Sequence, residues 1–306
     1  MTKIIMTEAR SEHYNEIFHL IKSYLDPEGG WERNKHIFSY TWPSMPDFQE
    51  TTPGYVLLDG EKVVGYQGFI NSRRNIGGKP VKYVTASTWV VHPDYRNYSL
   101  QLLKPFSNQE DFRVSFSAKD DIQQILTSRW INCKLFDETA FIFPICFSAF
   151  RYQGVKVCFD PDIVWTEAGR QERELIEDNC RYIARPARVY TPEEAFTLIY
   201  RPFTLRFDKL FRIKVSFCEI LYCGNRRLFS RYIRPIIRQL GVKNRVWFVV
   251  CASRYLTLPK IPWAIKKQLK CYCSDFALTG INPEDIDDLY SEKTVINFEN
   301  PPKPIK

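Results

Sequence analysis

A chain of 306 residues, 44% apolar and 25% charged, is long enough for two cores of ordinary size and too apolar to be disordered. Residues 1–150 hold 16 Lys/Arg against 17 Asp/Glu and the remainder 27 against 18, so the net charge of +8 belongs to the C-terminal half, where it would attract an anionic ligand, nucleic acid or lipid surface without choosing among them. Glu8 comes early with no apolar run behind it, against a secretory leader, and the longest nearly apolar stretch, Thr139 to Phe150, is too short for a transmembrane helix.

Nine cysteines, an odd number with no CxxC pair, read as reduced thiols in a cytoplasm. Cys271 and Cys273 are two apart, and His13, His19, His36 and His92 lie far upstream, so no metal site is expected.

Lys3 to Thr7 reads as a strand. Ser11 is placed to cap a helix with Ile17, Phe18, Ile21, Tyr24 and Leu25 on one stripe. A turn at Pro27 to Gly30 precedes a second helix over Trp31 to Tyr40. Gly54 to Phe69 holds two strands joined at Asp59-Gly60, a pair suited to the positive φ of a type I′ hairpin turn. Gly77-Gly78 leads into a third strand, Val81 to Val91. Then come a helix over Tyr98 to Phe106, a strand over Phe112 to Ser117, a helix over Asp120 to Trp130 and a strand over Cys133 to Phe147. Strand–helix–strand alternation implies parallel pairing at this point.

Residues 151–188 read as a connector holding the charged stretch Glu167 to Asp178. Thr191-Pro-Glu-Glu194 has the form of a capping box with proline at the first helical position, a helix start. Phe211 to Tyr222 is a strand, Arg226 to Leu240 a helix, Arg245 to Ala252 a strand, Pro262 to Leu269 a short helix and Cys271 to Leu278 a last strand. This order repeats that of 81–147 in pattern, not in identity. The expected division is a first domain over 1–150, the connector, a second domain over 189–299 and a mobile tail over 300–306.

The segment that carries chemistry is Val84 to Gln101. A strand ends at Val91, His92-Pro-Asp-Tyr95 turns the chain, and Arg96 opens a loop into a helix whose backbone N–H groups form an anion nest. Together with the first strand and helix, the Tyr55 to Phe69 hairpin and the Val-x-Pro-x-x-Arg turn at Val91, Pro93 and Arg96, this segment resembles the GCN5-related N-acetyltransferase (GNAT) superfamily from Ile4 to about Phe147. The resemblance implies an α/β (α+β) fold with a mixed central sheet of the acyl-CoA N-acyltransferase type, here as two GNAT-like units in tandem, the second degenerate. It implies acetyl-CoA or another acyl-CoA as co-substrate and an amine-bearing acceptor. Its pantetheine arm would pair along Trp89, Val90 and Val91, and its pyrophosphate would lie over Arg96, Asn97, Tyr98, Ser99, Leu100 and Gln101. Ser99 and Gln101 stand where the family has small residues. A serine hydroxyl can donate to a phosphate oxygen, whereas the glutamine side chain must swing aside.

Acyl transfer needs a neutral amine and hence a route for its proton. The family's base position falls on Thr85 and Ser87, which can relay a proton through water. Its acid position falls near Thr127 and Ser128, and Asp120 and Asp121 lie at the start of the same expected helix, where they also complement its dipole. His92 reads as solvent-facing filler. In the second half, Arg227, Arg231, Arg234 and Arg238 share one helix face, with no acid from Asn225 through Val250, which points to an anionic partner. Two further readings are a non-catalytic GNAT-like module holding such a partner and a tRNA-dependent aminoacyl transferase of the Fem-ligase kind.

Overall fold

The computed structural model describes residues 3–25, 53–76, 79–107, 112–115, 133–145, 154–207, 213–257, 261–274 and 286–289. Among the described residues twelve strands form one sheet: β1 (Ile4–Glu8), β2 (Gly54–Asp59), β3 (Lys62–Ile76), β4 (Lys79–Val91), β5 (Phe112–Ser115), β6 (Cys133–Pro144), β7 (Lys156–Cys158), β8 (Arg185–Tyr190), β9 (Ala195–Phe207), β10 (Ile213–Cys223), β11 (Phe248–Ala252) and β12 (Ile265–Ser274). The helices are α1 (Tyr14–Tyr24), α2 (Pro161–Glu167), α3 (Arg170–Asn179), α4 (Arg226–Arg231) and α5 (Ile233–Asn244), and a long 3₁₀ helix runs from Pro93 to Leu103.

The hairpin between β2 and β3 is present, but Asp59 pairs with Lys62, so its turn is Gly60-Glu61, and of the expected Asp59-Gly60 pair only Gly60, at φ +64°, takes a positive φ. β3 pairs with β4 out to Ile76 opposite Lys79, which completes the three-stranded meander. Ser11 does not cap α1. A 3₁₀ turn over Ser11–His13 enters it, with the Arg10 N–H donating to His13 Nδ1. The helices expected over 31–40 and 120–130 lie outside the described residues.

Strand order across the sheet is β1-β2-β3-β4-β5-β12-β6-β11-β10-β9-β8-β7. Its two halves are copies of one plan. Antiparallel β1 to β4 step to β5 by a parallel pairing, and antiparallel β7 to β10 step to β11 by another. The last strand of each half has crossed over: β12 pairs with β5, and β6 pairs with β11. β6 and β12 then join the halves at the centre through ten antiparallel residue pairs.

Helices cover both faces. Ile17, Leu20 and Ile21 of α1 share a core with Val164 of α2, Ile176 of α3 and the inward residues Val56, Tyr66, Val90, Ile199 and Leu221. On the other face the 3₁₀ helix buries Leu102 against Leu57 and Val64, while α4 and α5 bury Leu228, Phe229, Ile236, Ile237 and Leu240 over Leu198, Ile220 and Val249.

Three expectations are corrected. The connector over 151–188 contains β7, α2 and α3. Asp160 caps α2 with Pro161 at its first position, and β7 pairs with β8, so this stretch opens the second copy just as β1 and α1 open the first. Thr191 to Glu194 starts no helix: its hydroxyl accepts from the Glu193 and Glu194 N–H groups at 3.2 Å and closes the β8–β9 hairpin. Residues 265–269, expected to be helical, are strand, because β12 fills the gap between β5 and β6.

Candidate functional site

β4 alternates its side chains between the two faces, but the register with β3 slips between Gln67 opposite Trp89 and Phe69 opposite Ala86. The extra residue at Ser87–Thr88 is a β-bulge. It reverses the parity of the strand, so Val84 and Ala86 before it and Trp89 and Val91 after it contribute to the same side, against the 3₁₀ helix. Gln67, almost wholly buried, ties the bulge down: its amide donates to the carbonyls of Gly68 at 2.9 Å and Ser87 at 3.3 Å.

Among the described residues β5 accompanies β4 from Tyr83 to Thr85, and Ala86 to Val91 border β3 on one side and no described strand on the other. A backbone edge is thereby left for a ligand with amide groups. The Trp89 indole N–H, buried on this stretch, has no hydrogen-bond partner among the described residues.

The chain leaves this edge through His92, which is more than the filler expected of it. Its backbone N–H donates to the Val64 carbonyl, and its Nδ1 accepts from the Asp94 N–H at 3.3 Å as the cap of the 3₁₀ helix. Its ring lies edge-on to Tyr24 and Tyr95. Arg96 was expected to open a loop ahead of a helix. Instead the helix is wound from Pro93, and Arg96 to Gln101 are inside it. Their backbone N–H groups face carbonyls three residues back, so the contacts this segment can make to phosphate are those of side chains and of the helix start. Residues three apart eclipse in such a helix, which aligns Arg96 with Ser99 along one edge. Arg96, Asn97, Tyr98 and Leu100 are exposed, and Ser99 and Gln101 half-buried.

The structure thus brings together Ser87, Trp89, Val90, Val91 and the helix from Arg96 to Gln101. Thr85 is fully buried below the bulge, and Ser87 lies half-buried in it. Asp120, Asp121, Thr127 and Ser128 lie outside the described residues.

The arginine face of the second half is divided and partly neutralised. The helix expected over 226–240 breaks at Tyr232, which puts Arg227 and Arg231 on α4 and Arg234 and Arg238 on α5. Glu193, from the β8–β9 turn, pairs with Arg227 at 3.4 Å and with Arg231 at 2.6 Å. Arg234 lies over the Trp263 ring. The acid absent from the neighbouring sequence is supplied across the fold.

No protein-family model matches the sequence, and no curated protein matches it. In three dimensions the likeness is extensive. A GCN5-related N-acetyltransferase from Anabaena variabilis superposes with a TM-score of 0.55 over 89% of this chain and 72% of its own, at 10% identity. Another from Kribbella flavida does so with a TM-score of 0.54 over 89% and 71%, at 11% identity. The fold is that of the GNAT acyltransferases. It is present twice, as tandem units that share one sheet. Gln67 escaped sequence reading because it acts on Ser87, which strand pairing brings near, and the cap of His92 did so because histidine is not among the usual capping residues.

Proposed function

We propose that this chain transfers an acyl group from an acyl-CoA to an amine, using the wedge between β4 and β5 of its first unit. The observation that carries the reading is the stretch from Ser87 to Val91, which among the described residues has β3 on one side and no strand on the other, and is shaped by a bulge. Pantetheine amides would pair with the backbone of Trp89, Val90 and Val91, with the Trp89 indole as an added donor. The diphosphate would lie beside Arg96, Asn97 and Ser99, with Tyr98, Leu100 and Gln101 flanking it. In the reaction the neutral amine attacks the thioester carbonyl, the C–N bond forms and the C–S bond breaks. The amine's proton must leave during attack, and the thiolate gains one as it departs. Ser87, at the bulge, is placed to pass a proton through water. An acetyl group is the simplest acyl group for such a site. Buried thiols outside any disulfide, such as Cys218 and Cys223, fit a reducing compartment such as the cytoplasm.

Calorimetric titration with acetyl-CoA tests the reading. Saturable binding that is lost when the β4 edge is blocked supports it. Absence of binding to acetyl-CoA and to longer acyl-CoAs would leave a GNAT fold used as a non-catalytic module.

A further inference from the structure

The second unit repeats the wedge. β10 and β11 run parallel up to Ile220 opposite Cys251, and β10 then continues alone to Cys223. Its register with β9 slips between Ile220 and Tyr222, which makes Leu221 a bulge in the position of Ser87–Thr88. The parity of the strand reverses here too, with Cys218, Ile220 and Cys223 in one core and Leu221 in the other.

Here, however, the edge is taken. Segment 286–289 lies against it, and the Asp288 N–H donates to the Leu221 carbonyl at 3.0 Å. The Tyr255 hydroxyl, just beyond the end of β11, donates to that same carbonyl and accepts from the Asp288 N–H at 3.1 Å. The Asp288 carboxylate pairs with Arg254, their side chains 1% and 4% exposed. Asp287 accepts from the Leu289 N–H at 2.9 Å, and Leu289 is fully buried beside Leu221 and Ile199. A guanidinium so deeply enclosed requires an anion, and a carbonyl turned out by a bulge requires a donor. The segment supplies both, as a ligand with an amide and an anionic group would.

We infer that residues 286–289 are a built-in occupant of the second unit's wedge, held where the first unit binds pantetheine, so that the chain carries one acyl-CoA site and not two. The occupancy stands on the hydrogen bonds above; the comparison with pantetheine rests on the function proposed for the first unit.

Hydrogen exchange read at single amides, with and without saturating acetyl-CoA, tests the two parts separately. The Asp288 and Leu289 amides should exchange at least 100-fold more slowly than in an unfolded chain and keep that rate when acetyl-CoA is added, while Trp89 to Val91 slow. Titration should give one acetyl-CoA per chain. Fast exchange at Asp288 in the free protein, acceleration there on adding acetyl-CoA, or two molecules bound per chain would each overturn the inference. If acetyl-CoA binds nowhere, the function proposed for the first unit fails, whereas slow exchange at Asp288 still upholds the occupied wedge. An Asp288→Ala chain should speed exchange at Leu289 at least tenfold and leave Trp89 to Val91 unchanged. Should that variant fail to fold, the wild-type rates decide.

Discussion

At Gly54 the backbone has φ +154°, and a Cβ there would lie 2.1 Å from the carbonyl oxygen of Gln67 on the neighbouring strand. Because that oxygen is backbone, the clash is relieved only by moving β2 away from β3. Gly54→Ala should therefore cost about 3 kcal/mol, at the upper end of overpacking, in urea unfolding. A Cβ at Gly241 would lie 2.3 Å from Ile145 Cδ1, the end of a side chain able to turn, so Gly241→Ala should cost less. A second prediction concerns thiols. Burial pushes Cys180 and Cys223 up to about 12, and a raised thiol pKa leaves almost no thiolate at pH 8. Among Cys133, Cys158, Cys180, Cys218, Cys223 and Cys251, half-exposed Cys158 should react first with iodoacetamide at pH 8, and Cys223 only on unfolding, as mass spectrometry of timed samples will show. The third belongs to the proposed site. Arg96 is exposed on the helix after β4, and Arg96→Ala should weaken acetyl-CoA binding by about 1.5 to 3 kcal/mol, the worth of hydrogen bonds to a charged group. Unchanged affinity in calorimetry would remove Arg96 from the site.

Among the elements, α4 shows how a short basic helix is held. Asn225 accepts from the Leu228 N–H at 2.9 Å and donates to Glu194, so one side chain both caps the helix and ties it to the β8–β9 turn. Asn225→Ala should destabilise the chain by about 1 to 2 kcal/mol, whereas Asn225→Asp should recover less than the whole loss, because it keeps the cap but sets a carboxylate beside Glu194. An Asn225→Asp chain as stable in thermal unfolding as the unaltered one would show that the link to Glu194 carries no weight. The elements also show which local signals were legible. The hairpin at Gly60 was legible because glycine supplies the positive φ its turn needs, whereas the exact turn was not: Asp59 ends the strand opposite Lys62 and the turn is Gly60-Glu61. Thr191-Pro-Glu-Glu194 was misread because a threonine hydroxyl accepts the same two downstream N–H groups in a hairpin turn as at a helix start. Asp160-Pro161, a genuine cap and first helical residue, was passed over within a stretch too charged to look like part of a core.

At the scale of the molecule, the crossing of β6 and β12 makes each half depend on the other. Residues 1–150 alone would leave β5 without β12 and expose the flanks of β6 that β11 and β12 cover. Expressed by themselves they should aggregate or lack a cooperative transition, and co-expression with residues 151–306 should restore a soluble complex. A cooperative unfolding transition from 1–150 alone would show that the exchange is dispensable. The whole chain should unfold in a single step, since its central pairings join residues more than a hundred positions apart.

That separation also divides what the sequence by itself determined from what the tertiary structure decided. The β1–α1 start, the meander of β2 to β4, the turn at His92-Pro93 and the doubling of the strand–helix pattern were legible, since each rests on periodicity or on residues within a few positions of one another. The bulges at Ser87 and Leu221 were not, because a bulge is a count of residues against a partner strand. Nor was the helical winding of Arg96 to Gln101, or the neutralisation of Arg227 and Arg231 by Glu193 from 34 or more residues away. Residues 265–269 could follow a helical or a strand pattern equally well, and only the unpaired edges of β5 and β6 chose the strand. Asp288, unremarkable in sequence, became the partner of a buried arginine because backbone donors and buried charges are matched by position in space, which the chain reaches only when its two halves have closed on each other.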